Sequence, residues 1–273
     1  MPWRRPQYDL DSTDPGPLLD RDRPSLVIHA AAWTDVDGCA RQPDLAMRRN
    51  ADALATLSRA CVARGIRLVV LSTNEVFDGE RKDGLGYTEA DPTRPRNPYG
   101  ASKLAGERAA QQTFGTMSGL WIARIGWLFG QPGKDFPEKI LAASDERAED
   151  DPLPVVADQT GCPTLSSDVA RALLELVGAV DGGVYHIVNS GIATRYEWAK
   201  AILDRCRPGR RLRPIAQHDF KRASTPPRWG VLDGGKVALL GLELRDWRLA
   251  LADYLAVLCA DSARRSAIRP VSD

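Results

Sequence analysis

Apolar runs and segments of helical spacing alternate through the first half of the chain, which restricts it to folds that layer helices on a sheet. Ser25 to Ala32 (SLVIHAAA) is a continuous aliphatic run ending in small residues, the pattern of a parallel strand buried on both faces. The segment from Leu45 to Arg64 carries Leu54, Leu57 and Cys61 at helical spacing and stops at Gly65. Arg67 to Ser72 (RLVVLS) reads as the next strand. A loop rich in Gly, Pro and Asp covers 77–98, a helix runs from Tyr99 to about Thr113, and Gly119 to Gly130 supplies a further strand. The expectation is an α/β protein with a doubly wound parallel sheet, its functional crevice at the carboxyl ends of the strands. Thr73 and the turn from Ala30 to Thr34 both fall at such ends.

Beyond residue 130 the alternation loosens. Asp158 to Thr164 reads as a loop, Ser167 to Val177 as a helix, Val184 to Val188 as a short strand and Tyr196 to Cys206 as a helix opened by Thr194 as N-cap. The stretch from Pro208 to Gly235 is rich in Pro, Arg and Gly, and a last amphipathic helix covers about Trp247 to Cys259. Residues 1–130 are therefore expected to form the sheet domain, and 131–273 mainly a smaller lobe with closing helices.

Composition excludes several classes. The 273 residues, 43% hydrophobic, suffice for a sizeable core. A net charge of +1 gives no electrostatic reason to expect nucleic acid or an anionic membrane as partner. The most apolar stretch, Leu120 to Gly130, is short and contains Arg124, so it is not a membrane span. Arg4 and Arg5 are followed by no apolar segment, unlike a secretory signal. Five cysteines without a CxxC pair suit the cytoplasm and offer no readable zinc site.

Tyr99 and Lys103 lie four residues apart in NPYGASK, and Thr73 precedes the tyrosine by 26 positions. Four-residue spacing places both side chains on one helix face, where an ammonium can favour ionisation of the phenol and tune it for acid work near neutral pH. A lone YxxxK match carries chance risk, and Tyr196 with Lys200 forms a second copy. No hydroxyl at a strand end precedes that copy at a similar interval, so helix packing is its expected role.

The motifs HAAAWTDVDGC (29–39), LSTNEVFDG (71–79), NPYGASKLAGE (97–107), RIGWLFG (124–130), VVADQTGCPT (155–164) and GVYHIVNSGIATRYEWA (183–199) together resemble the dTDP-4-dehydrorhamnose reductase family of the extended short-chain dehydrogenase/reductase superfamily. The resemblance covers nearly the whole chain and implies an NAD(P)-binding Rossmann-like fold with a C-terminal substrate lobe. It makes Tyr99 the general acid, Lys103 its tuning partner and ribose ligand, and Thr73 the holder of a keto-sugar carbonyl. It places Asp9, Asp11, Ala30, Ala31, Ala32, Thr34 and Asn50 on the cofactor side. On the sugar-nucleotide side it places Asn74, Glu75, Trp127 (an aromatic over the sugar), Asp158, Gln159, Thr164 and Arg228, the last toward the diphosphate. NADPH, or NADH, is the implied cofactor and a dTDP-sugar the implied substrate. Family members also bring Mg²⁺ and a homodimer into consideration, although no metal-ligand cluster is readable here.

Two departures stand out. Asn74 and Glu75 replace the family's usual acid and aromatic after Ser72-Thr73, which removes an aromatic face and points to a different hydroxyl pattern in the sugar. No G-x-x-G-x-x-G turn is present, and RRPQYDLDSTDP (4–15) resembles the segment after the family's second strand. The missing strand would sit at the sheet centre, beside Leu26 to Ala31, and its loss would leave strand backbone unpaired. Met1 is accordingly expected to be an internal methionine of a longer natural chain. An upstream in-frame stop codon without a glycine-turn code would contradict this. The rival expectations are a non-catalytic sugar-nucleotide-binding relative, such as the regulatory β subunit of methionine adenosyltransferase, and an epimerase or dehydratase, for which Glu75 is the one hint.

Overall fold

The computed structural model describes residues 1–130 and 135–268. Its main sheet and flanking helices run β1 (Leu26–His29), α1 (Ala53–Val62), β2 (Arg67–Thr73), α2 (Pro98–Phe114), β3 (Leu120–Ile125), α3 (Ser166–Ala179) and β4 (Gly182–His186), followed by α4 (Arg195–Cys206) in the second lobe. The four strands are parallel in the order β1-β2-β3-β4, with Leu26 opposite Arg67, Leu68 opposite Leu120, and Leu120 opposite Gly182. The fourth strand comes from beyond residue 130, so the sheet itself spans both halves of the sequence.

Strand periodicity sorts the core into two layers. Leu68, Val70, Leu120 and Ile122 meet Leu54, Leu57 and Cys61 of α1 and Ala110 and Phe114 of α2. Val69, Trp121, Ala123 and Tyr185 meet Val169, Leu173 and Leu176 of α3 on the opposite face. Each fully buried aliphatic or aromatic side chain here contributes about 1.5–3 kcal/mol relative to exposure. β1 pairs only with β2 among the described residues, and Ile28 is 46% exposed.

Several boundaries differ from the sequence expectation for physical reasons. β1 ends at His29 because the chain is drawn off the sheet, where Trp33 N–H donates to Asn50 Oδ1 at 2.8 Å. The helical stretch expected over 45–64 is continuous but carries a π-turn at Arg48–Asp52, which holds Asn50. The strand expected over 119–130 breaks after Ile125: Trp127 adopts φ +37°, and Leu128–Phe129 pairs instead with Thr164–Leu165. The expected loop over 158–164 contains the strand Thr160–Gly161, antiparallel to Ala193–Thr194. The last helix runs Trp247–Ile268, past Cys259, through residues free of Gly and Pro.

The second lobe packs Phe129, Ile140, Leu141, Trp198, Ile202, Trp247 and Leu251 together. Its α4 opens with a capping box in which Thr194 Oγ1 accepts from Glu197 N–H at 3.0 Å and Glu197 Oε2 accepts from Thr194 N–H at 2.7 Å. No helix among the described residues is long and apolar enough to cross a membrane.

One ion pair ties α2 to the sheet. Arg124 of β3, with 6% of its side chain exposed, grips Glu107 of α2, with 1% exposed, through Nη2 at 2.7 Å and Nε at 3.1 and 3.2 Å. Ser72 Oγ donates to the same carboxylate, and the guanidinium lies 5.3 Å from the Phe77 ring centre. Removing one partner strands the other charge in the core. Arg124→Met is expected to cost about 3–5 kcal/mol in urea unfolding, with Arg124→Met/Glu107→Leu recovering much of that loss. A double variant no more stable than the single one contradicts this assignment.

Candidate active site

The site is assembled where the first turn of α2 docks on the turn that follows β2. Asn97 caps α2 by accepting from Gly100 N–H at 2.8 Å, and Pro98 pre-sets the first helical residue. A Cβ at position 100 would lie 2.0 Å from the carbonyl oxygen of Glu75, so only glycine lets the helix approach this closely. On the other side, Thr73 ends β2 in extended conformation and caps the 3-10 turn Asn74–Val76, its Oγ1 accepting from Glu75 N–H at 3.2 Å. Helix start and strand end thus bring the Thr73 hydroxyl to the Tyr99 phenol.

Lys103 lies one turn beyond Tyr99 and donates from Nζ to the Leu71 carbonyl at 2.7 Å. Burial lowers its pKa to about 8, opposed by the Glu107 charge. Tyr99 behaves differently from the sequence expectation. Burial first, and then the negative charge of Glu75, push the phenol above its ordinary value, while hydrogen bonding with Thr73 pulls the other way. The raising influences outweigh the lowering one, so the phenol stays protonated. Glu75 is itself raised by burial and accepts from Asn97 Nδ2 at 2.6 Å. Glu75, Tyr99 and Arg195 each keep some accessible surface although protein surrounds them on most sides, as groups lining a cleft do.

The cofactor-side residues converge on the same end of the sheet. Ala30, Ala31 and Thr34 are exposed beyond β1 and Ala32 is half-buried. Asn50 is 2% exposed and holds both Trp33 backbone groups and, through Nδ2, Ser102 Oγ of α2 at 3.0 Å. Asp11 forms a two-point pair with Arg49 at 2.7 and 2.5 Å, which lowers its pKa, and Asp9 pairs with Arg5 at 3.0 Å. Arg49 also lies 5.2 Å over Trp33, so the N-terminal segment is bound to the turn after β1. His29, at the tip of β1, is lowered to about 3 by burial and then by the Lys103 charge, and stays neutral.

The substrate-side residues divide. Asn74 is 4% exposed and donates to the Gly230 carbonyl at 3.1 Å, tying the turn to the second lobe. Thr164 is fully buried and donates to the Cys162 carbonyl at 2.9 Å, a local structural bond. Gln159 is 5% exposed, and its carbonyl accepts from Arg195 N–H at 3.1 Å. Asp158 accepts from Gln217 N–H at 2.7 Å and pairs at 3.2 Å with Arg228, whose side chain is 64% exposed. Trp127 was expected to offer its face to the sugar, but the Arg195 guanidinium lies 3.7 Å from its ring centre, and Gly161 packs so close that a Cβ would come within 2.6 Å of the indole. Trp127 therefore meets the cleft through Arg195. In the second YxxxK copy Tyr196 packs against the second-lobe core and Lys200 Nζ pairs with Asp204 at 2.6 Å on the surface of α4.

Arg195 and Asn97 were missed by sequence reasoning. Asn97 before Pro98 was readable as a helix cap; Arg195, 120 positions from Glu75, gave no local signal. No group of three or more His, Cys, Asp or Glu side chains suited to a metal occurs among the described residues.

A parallel α/β sheet with a strand-end threonine, a helix-borne tyrosine and a lysine one turn on defines the short-chain dehydrogenase/reductase class of site. More narrowly, the chain belongs to the RmlD substrate binding domain family, which matches residues 2–259. It is 36% identical over 268 residues to a dTDP-4-dehydrorhamnose reductase of Streptomyces griseus, covering 93% of this chain and 85% of that one. It is 39% identical over 239 residues to the Mycobacterium tuberculosis H37Rv protein of the same name, covering 85% and 76%. The dTDP-4-dehydrorhamnose reductase of Bacillus anthracis, solved in complex with NADP, aligns with a TM-score of 0.82 at 30% identity, covering 88% of this chain and 83% of that one.

Lys103 also carries a pH signature. Its folded pKa of about 8 lies below the unfolded 10.5, so the unfolded chain binds more protons between these values and stability rises with pH across that window. The burial penalty is fully present below pH 8 and gone above 10.5. Lys103→Met is expected to raise the denaturation midpoint at pH 7 relative to wild type, with the gap narrowing as pH approaches 10.5. A variant less stable by the same margin at every pH contradicts it.

Proposed function

We propose that the chain reduces the C4 keto group of a dTDP-4-dehydro-6-deoxy sugar, as a reductase of the dTDP-4-dehydrorhamnose type. The observation that carries this reading is the convergence of Thr73, the protonated Tyr99 and Lys103 at the carboxyl end of β2. Oxidoreduction through a nicotinamide cofactor is the chemistry this triad serves.

The residues present fit one half of NADPH. Tyr99 and Lys103 would hold the nicotinamide ribose, the small residues Ala30 to Ala32 and Thr34 would lie along the dinucleotide, and Asp9, Asp11 and Asn50 would shape the same edge. The sequence from Met1 to Asp273 has no three-glycine turn for the pyrophosphate, so no residue is assigned to that part. NADPH over NADH is favoured by the NADP held in the Bacillus anthracis relative. When bound, the cofactor supplies a hydride to the carbonyl carbon. The Tyr99 phenol gives its proton to the carbonyl oxygen, and the Thr73 hydroxyl donates to the same oxygen as negative charge develops there. Lys103, one helical turn from Tyr99 and a cation below its pKa of about 8, would favour the tyrosinate that remains.

The second lobe would take the nucleotide. Arg228 is exposed near Asp158 and free to turn toward a diphosphate, where a charge-assisted pair outweighs a surface ion pair. The cytoplasm is the compartment this reading implies, since it supplies reduced cofactor and sugar nucleotide together.

Cofactor oxidation followed at 340 nm with dTDP-4-dehydrorhamnose tests the proposal. Tyr99→Phe is expected to lower kcat by about 10²–10⁴ with dTDP-sugar binding within a few-fold of wild type. Wild-type protein that binds cofactor and sugar nucleotide yet oxidises none, or Tyr99→Phe with undiminished turnover, contradicts it.

A further inference from the structure

Glu75 and Arg195 face the same cleft, yet they are not joined. Among the described residues, Arg195 makes no ion pair within 4.0 Å and its guanidinium makes no hydrogen bond. Its guanidinium carbon packs against aromatic rings, 3.7 Å from the ring centre of Trp127, 4.9 Å from that of Phe136 and 5.5 Å from that of Trp198. None of its nitrogens is both buried and unpartnered, so its N–H groups remain accessible to an incoming ligand. Glu75 has one oxygen fixed by Asn97 Nδ2 at 2.6 Å and the other, Oε1, likewise open. The nearby Asp37 and Arg222 satisfy each other at 3.0 Å, with Asp37 also accepting from Ser224 N–H at 2.8 Å, so they do not complete either group.

A carboxylate and a guanidinium placed across a gap select what enters it. An amine would be repelled by Arg195 and a carboxylate by Glu75. A hydroxyl suits both, because it donates to the carboxylate and accepts from the guanidinium at once. With the reacting carbonyl between Thr73 and Tyr99, and Glu75 two residues from Thr73, the hydroxyl that meets this gap is on the ring carbon next to the carbonyl. In a 6-deoxy sugar with its carbonyl at C4, that is the C3 hydroxyl, since C5 carries the methyl group.

We propose that Glu75 and Arg195 form a two-sided clamp for the C3 hydroxyl of the sugar and thereby set substrate specificity. The clamp rests on the reductase reading above and extends it by giving Glu75 and Arg195 one joint task. Trp127 acts as a positioning residue here, holding the guanidinium edge-on to the gap. A sugar lacking the hydroxyl leaves two desolvated polar groups unpaired, the situation in which sites discriminate most strongly.

Titration calorimetry of the full chain with dTDP, dTDP-L-rhamnose and its 3-deoxy analogue tests the clamp without requiring turnover. Wild type is expected to bind the 3-hydroxy sugar about tenfold or more tighter than the 3-deoxy sugar. Arg195→Met and Glu75→Met should each shrink that ratio to about threefold or less, with dTDP affinity within about twofold of wild type as the check on folding. Glu75→Gln, which keeps an acceptor, should fall between. A ratio near one in wild type, or an undiminished ratio in both methionine variants, overturns the clamp alone. Wild-type protein that binds dTDP but gains nothing from either sugar overturns the reductase reading and the clamp with it.

Discussion

The contact between the first turn of α2 and the turn after β2 is the constraint from which the rest of the site follows. It is made by the absence of a side chain at Gly100, which lets the helix close on the Glu75 carbonyl, and by Asn97, which caps the helix and holds the Glu75 carboxylate. From that contact Tyr99 is delivered to Thr73, Lys103 to the Leu71 carbonyl, and Glu75 into the cleft. A shift of even an ångström at this seam would misplace the phenol that we propose as proton donor.

The electrostatics of the site are layered about that seam. Deepest is the Arg124–Glu107 pair, which neutralises charge inside the core and leaves Glu107 close enough to act on Lys103. Lys103 is next, kept with a depressed pKa by burial, and Tyr99 above it is kept protonated by burial and by Glu75. At the cleft wall, Arg195 has its pKa lowered to about 9 by burial, opposed by Glu75 and reinforced by Arg222. Every one of these groups bears a desolvation cost, which a folded chain retains only where packing elsewhere is ample. The two sheet layers and the Trp198–Trp247 core supply that packing.

What was legible in the sequence was whatever depends on short range. The Tyr99 and Lys103 spacing, the strand of Arg67 to Ser72, the Gly65 stop and the Thr194 cap all follow from helical or strand geometry within a few residues. Features set by distant partners were not legible. The early end of β1 depends on Asn50, the break at Trp127 on pairing with Thr164, and the raised phenol of Tyr99 on burial by several elements and then on the Glu75 charge. The partners of Thr164 and Asn74 were not legible either: Thr164 donates to the Cys162 carbonyl, and Asn74 donates to the Gly230 carbonyl while its Oδ1 accepts from the Thr73 hydroxyl at 3.4 Å. Trp127 was read as a bare aromatic face because nothing in its neighbourhood announces that Arg195 will cover it.

The central claim is that protonation by Tyr99 accompanies delivery of hydride to the sugar's C4 carbon. The most direct test is a single-turnover reaction of the chain with NADPH deuterated at the transferable position and dTDP-4-dehydrorhamnose, followed by NMR of the sugar product. The account predicts one deuterium at C4, in a single configuration, and none at C3 or C5. Label absent from C4, or sugar converted without taking up deuterium, would contradict it.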